Sequence, residues 1–245
     1  MKEYANITCG ILTPFDMTPV EKGGLIFELW SRHPWALPTH FGNVEPVRRR
    51  WTGVPDATIH WLDPFLWKNN ISKVSGSVWF GRNQKHSCLY LNLKYTNALS
   101  KHDDWVRFLT DACGVLKADI GYVHLTTSRE MADPDIPYDC TYAVDRGLNT
   151  HDLRKGIPNL CWAMVFGGKY HDVVERMHQI SVASVRRINE CQTYLQLTPS
   201  MENVIDDYKA FNDIRLKVRR ELGDDFFSCS GDITRKPMFI FGLEL

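Results

Sequence analysis

The sequence lacks a long apolar run, an excess of either charge and any paired-cysteine motif, and each absence removes a class of protein. No stretch approaches the roughly 18 apolar residues that a membrane-spanning helix needs. The opening Met1-Lys2-Glu3-Tyr4-Ala5-Asn6 carries charge without an apolar core, so no secretory signal is read there. Lys plus Arg and Asp plus Glu both count 29, which leaves no net charge to favour nucleic acid or an anionic membrane. The seven cysteines (9, 88, 113, 140, 161, 191 and 229) include no CxxC pair. In a chain of this length without an export signal they read as reduced, buried small hydrophobes. These features together lead to the expectation of a cytoplasmic protein.

Motifs for chemistry are missing as well. None of the nine histidines sits in HExxH or at zinc-ligand spacing with cysteine. There is no GxSxG, no Walker loop and no GxGxxG. Asp133, Asp135 and Asp139 are spaced like part of a calcium loop, but the loop glycine and the closing glutamate are absent. No catalytic residue, metal or cofactor is therefore assigned. The sequence leaves the oligomeric state open.

What is present is a well-provisioned core: 245 residues with 44% hydrophobic side chains suffice for one sizeable domain. The longest apolar stretch, Gly156–Gly168, is bounded by Gly-Pro and Gly-Gly and reads as a buried strand. Residues 1–17 read as extended. Thr18-Pro19-Val20-Glu21 marks a helix start, with Thr as cap and Pro at the first helical position. Ser75–Phe80 and Ser87–Leu93 read as a hairpin. A helix capped at Ser100 follows, striped by Trp105, Phe108, Leu109, Ala112 and Leu116, and then a strand over Asp119–Thr126. Residues 127–156 read as an acidic irregular stretch, with a short strand at Tyr138–Val144. Further on come a helix at Tyr170–Ile180, strand material at Val182–Leu197 turning at Asn189-Glu190, a long helix at Asn203–Leu222 and a strand at Pro237–Leu243. This order predicts an α+β fold, a mostly antiparallel sheet with helices packed on one face. It is one domain over residues 1–245, with an irregular Trp/Pro-rich part at 1–70 and a core at 71–245.

Two segments stand out as partner surfaces. Five of the eight tryptophans (30, 35, 51, 61 and 67) fall between residues 30 and 67, where Arg48, Arg49 and Arg50 adjoin Trp51. Trp and Arg are enriched at interface hot spots, although large aromatics in a Pro-rich segment more often anchor it to the core. The acidic stretch with Asp133, Asp135 and Asp139 is the second, since charge complementarity sets encounter and specificity.

Gly156–Gly167, Tyr194-Leu195-Gln196-Leu197-Thr198 and Val218-Arg219-Arg220-Glu221-Leu222-Gly223-Asp224-Asp225-Phe226-Phe227 resemble the C-terminal half of a bacterial immunity-protein family. It is the family numbered 52 in polymorphic toxin systems, similar in style to the immunity proteins of type VI secretion. The resemblance spans roughly residues 95–230. It departs from the family at Cys161, where Tyr is common, and at Gly168-Lys169, where Pro is common. It implies a non-catalytic antidote that binds a cognate toxin domain, with no nucleic-acid or membrane partner. An unrecognised hydrolase built from scattered Asp and His residues, and a small-molecule binder lined by the tryptophans, remain as alternatives.

Overall fold

Strand β1 (Ala5–Thr13) occupies the middle of the sheet, and its alternation explains the layers around it. Ile7, Cys9 and Ile11 point to one face, Thr8, Gly10 and Leu12 to the other, and all are buried. A strand buried on both faces needs a layer on each side. The computed structural model describes residues 4–81, 85–96, 101–154, 156–170, 176–177, 180, 182–223 and 226–228.

After β1 come α1 (Val20–Arg32), β2 (His40–Gly42), β3 (Arg49–Arg50), α2 (Val54–Ile59), β4 (Phe65–Lys68), β5 (Ser75–Trp79) and β6 (Ser87–Lys94). The second half contains α3 (His102–Leu116), β7 (Ile120–Thr127), α4 (Ser128–Met131), α5 (Tyr138–Arg146), α6 (Thr150–Leu153) and β8 (Ala163–Gly167). It ends with β9 (Ser184–Asn189), β10 (Gln192–Gln196), α7 (Asn203–Asp206) and α8 (Tyr208–Leu222). The strands form one sheet in the order β3-β2-β4-β5-β6-β1-β7-β8-β10-β9, every neighbour antiparallel. The α+β class is the one the sequence led us to expect. The Trp/Pro-rich N-terminal part contributes β1 to β4 to the same sheet as the rest.

The helices divide between the two faces instead of sharing one, and two glycines show why. Ile11 and Gly121 are paired across β1 and β7. A Cβ on Gly121 would run into Cys113 Sγ of α3, so α3 lies tight on that face. One residue along, Tyr122 points the other way and packs over Gly10, where a Cβ would meet its ring. The Tyr122 hydroxyl donates to Val144 O of α5 (3.3 Å) and accepts from Leu148 N (2.9 Å). Each fully buried aliphatic side chain in these layers contributes about 1.5–3 kcal/mol.

Several local expectations are corrected. Tyr138–Val144 is helix α5, not a strand. Pro137 precedes it, Asp139 lies in its first turn and Arg146 in its last, and Cys140, Thr141, Ala143 and Val144 are its buried residues. The long helix over Asn203–Leu222 is broken at Asp207, whose carboxylate caps α8 by accepting from Ala210 N (3.1 Å). Pro19, extended at ψ 137°, is the N-cap of α1 and Val20 its first residue. The strand expected over Gly156–Gly168 is regular only from Ala163. The hairpin at Asn189 forms without glycine, because Asn189 Oδ1 accepts from Cys191 N (2.9 Å) and closes the turn. Cys9, Cys88, Cys113 and Cys161 are buried thiols and Cys191 an exposed one, whereas Cys140 is disulfide-bonded. The all-reduced expectation fails there, and with it the thiol argument for the cytoplasm. Ser100, most of Tyr170–Ile180, Cys229 and Pro237–Leu243 lie outside the described residues. Among the described residues no helix is long and apolar enough to cross a membrane.

Candidate functional site

Helix α5 separates two surface features of opposite character. At its N-terminal end a groove of about 530 Å³ runs between the segment after β7 and helix α8, lined among others by Arg129, Asp133, Asp135, Tyr208, Asp213 and Leu216. Asp133 is committed to the fold: one carboxylate oxygen accepts from Tyr208 OH (2.6 Å), the other from Asp135 N (2.9 Å). Asp135 and Asp139 are exposed and have no ion-pair partner among the described residues.

Beside them α5 presents two stacked tyrosines. Tyr138 and Tyr142, one turn apart, are 56% and 46% exposed, with ring centroids 5.6 Å apart and planes 14° from parallel. Tyr4 adds a third partly exposed ring, and its hydroxyl donates to Asp145 Oδ2 (2.7 Å). Tyrosine supplies large contact area at low entropic cost, and the adjoining groove is mixed in charge with a slight acidic excess, Asp133, Asp135 and Asp213 against Arg129 and Lys209.

The groove is held by a buried network. His124 Nδ1 accepts from Trp162 N (3.1 Å), so its Nε2 carries the proton donated to Glu130 Oε2 (2.8 Å). Arg215 donates to the other Glu130 oxygen, to Asn212 Oδ1 (2.7 and 3.0 Å) and to Tyr208 OH (3.3 Å). Burial alone would raise the Glu130 carboxyl, but His124 and Arg215 outweigh it and hold it at about 2. The acid loop is thereby tied to β7 and α8 through the buried His124, Glu130, Arg215 and Tyr208, with Asp133 and Asn212 half-buried at its edge.

At the C-terminal end of α5 lies a second cavity of about 530 Å³, at the β5–β6 face. Two buried groups, His86 and Thr150, lie on its floor, and His86 is hydrogen-bonded to the buried Asp119 outside the lining. His86 Nε2 lies 3.1 Å from Asp119 Oδ2, and His86 Nδ1 lies 3.0 Å from Thr150 Oγ1, which also accepts from His86 N (2.7 Å). With Nε2–H donated to the carboxylate, the Thr150 hydroxyl donates to Nδ1. Cys88 lines the same cavity, but burial pushes its thiol up to about 12, so it is no nucleophile near neutral pH.

Arg48, Arg49, Arg50 and Trp51 are elsewhere. Arg49 and Arg50 form edge strand β3, which lies six strand positions from β7, roughly 29 Å at ~4.8 Å per strand. Arg48 to Arg50 are exposed, as charges that guard a sheet edge are. Trp51 turns inward against Phe27, Trp30 and Phe41. The aromatic segment is largely core: Trp30, Trp61 and Trp67 are buried and pack on Phe65 or on each other. Trp35 lines a smaller cavity of about 300 Å³ with Trp105, Lys101 and Asp104. Among the described residues no group of His, Cys, Asp and Glu is arranged to hold a metal ion.

Sequence reading missed the tyrosine pair, although the i, i+4 spacing of Tyr138 and Tyr142 between an acidic first turn and a basic last turn was a helix signal. It also missed both buried His–carboxylate pairs, whose partners are 6 and 33 residues apart.

No family model matches the chain, and no curated protein matches it. In structure it is similar to the Pseudomonas aeruginosa T6SS protein PA0821, with a TM-score of 0.60 and 11% identity, over 96% of this chain and 78% of that one. At that identity the likeness is one of fold, and this chain has the fold of a type VI secretion-associated protein.

Proposed function

We propose that the chain is an immunity protein that neutralises a cognate bacterial toxin domain by direct binding in the cytoplasm. The observation that carries this reading is the α5 surface: stacked, exposed Tyr138 and Tyr142 flanked by Asp135 and Asp139, which have no ion-pair partner among the described residues. A basic toxin domain supplies the complementary charge, and a stable complex needs roughly 1,200–2,000 Å² of buried area with a few aromatic anchors. The shared fold with a type VI secretion protein and the resemblance to a toxin-immunity family support the same reading. Co-expression with the product of the adjacent upstream gene tests it. Rescue of growth and a one-to-one complex on gel filtration are expected; a pair that neither associates nor protects would defeat it. Cell fractionation tests the location.

One observation favours a second reading, a hydrolase. Thr150, His86 and Asp119 form a hydroxyl–imidazole–carboxylate chain opening on a cavity, the arrangement that activates a nucleophile. Turnover of an ester substrate, abolished in a folded Thr150→Ala variant, would establish that reading. A variant that is destabilised with no turnover in either form would leave the three groups as a structural pin.

A further inference from the structure

We propose that the cavity at the C-terminal end of α5 binds a planar organic phosphate of mononucleotide size. Its volume of about 530 Å³ lies within the range of small-molecule pockets. Lys85, His86, Arg146 and His151 line it, and no Asp or Glu does. His86 is engaged by Asp119 and Arg146 by Asp152, so the wall offers oriented donors, with Lys85 as a cation outside any ion pair among the described residues.

The individual groups are placed to donate to an oxyanion. Arg146 is held by Asp152, which accepts from its NH2 at 2.6 Å, and Asp152 is fixed in turn because its other oxygen accepts from Asn149 N (3.0 Å). One guanidinium donor is thus spent on orientation, and the remaining fork of a 40% exposed side chain is left for an oxyanion. Lys85 is exposed at the rim with no ion-pair partner among the described residues. Asp152 does not line the cavity, but its charge reaches the lining residues Cys88 and Tyr90, so Arg146 contributes directed donors more than net charge.

The wall also offers a flat surface. Trp79 is 48% exposed, and its indole Nε1 donates to Ser77 Oγ (2.9 Å), which fixes the ring plane beside the cavity. A planar ring stacks on such a face with little regard to its substituents. The floor is rigid, because both His86 ring nitrogens are engaged by Asp119 and Thr150. Positive donors at the rim and one aromatic wall together select a ligand with a phosphate at one end and a flat ring at the other.

Calorimetric titration of the full chain with AMP, adenosine and inorganic phosphate tests this, with circular dichroism to confirm folding of each variant. AMP should bind saturably, inorganic phosphate at least about tenfold more weakly, and adenosine without measurable affinity. Arg146→Gln and Lys85→Gln should each weaken AMP by about tenfold, and Trp79→Ala should erase the advantage of AMP over inorganic phosphate. The proposal is overturned by absence of saturable AMP binding at millimolar concentration, by equal binding of adenosine, or by AMP affinity unchanged in both charge variants. It is independent of the antidote reading: a chain that binds AMP and no toxin keeps this inference and loses the other.

Discussion

The two ends of α5 are built on one plan and present different side chains. Each surrounds a space of about 530 Å³, and each rests on a buried histidine hydrogen-bonded to a carboxylate. At the N-terminal end Arg215 joins the pair, and outside it the acids Asp135 and Asp139 are exposed along with the cations Arg129 and Lys209. At the C-terminal end the third partner is the neutral Thr150 hydroxyl, and the cations Lys85 and Arg146 face outward.

The comparison breaks most visibly in the core of the acidic end. Arg215→Ala leaves Glu130 buried beside His124 without its cation and should cost about 3–5 kcal/mol in a urea unfolding curve. Acid titration probes the same pair. Glu130 falls from an ordinary 4.5 to about 2, so its contribution of roughly 3 kcal/mol is complete above pH ~4.5 and is lost as pH falls toward ~2. A Glu130→Gln variant should lack that acid-dependent loss. At the other end, Thr150→Val removes the acceptor of His86 N and a partner of its ring, and should cost about 1–3 kcal/mol. Outside the core the ordering inverts. Tyr138→Ala with Tyr142→Ala should leave stability within about 0.5 kcal/mol yet weaken toxin binding by about 2–4 kcal/mol. Replacing Arg48, Arg49 and Arg50 by serine should change toxin affinity least, since they sit on the far edge strand.

Much of the sheet was readable because its strands alternate or are apolar throughout. The pattern of β6 and the run at β8 are signals carried by neighbouring residues. The acidic stretch was recognised by composition, and Asp133 and Asp135 do line a groove. Its organisation was hidden, because Asp133 is anchored by Tyr208, 75 residues away, and Glu130 by Arg215, 85 residues away. Tyr138–Val144 misled for a local reason: its alternating aromatic and β-branched residues suit a strand, while the caps that make it α5 lie just outside. The side of the sheet each helix takes rests on where Gly10 and Gly121 fall in register, which sequence spacing does not reveal.

The proposed toxin contact at the α5 face is open to direct measurement. Calorimetric titration of the purified cognate toxin domain with the wild-type chain and with a Tyr138→Ala/Asp139→Lys variant is the direct measurement. Tight one-to-one binding by the wild type, weakened at least about 100-fold in the variant while the urea midpoint falls only by the small cost of a cation in the first turn of α5, is the predicted result. Equal affinity for the two proteins would contradict it.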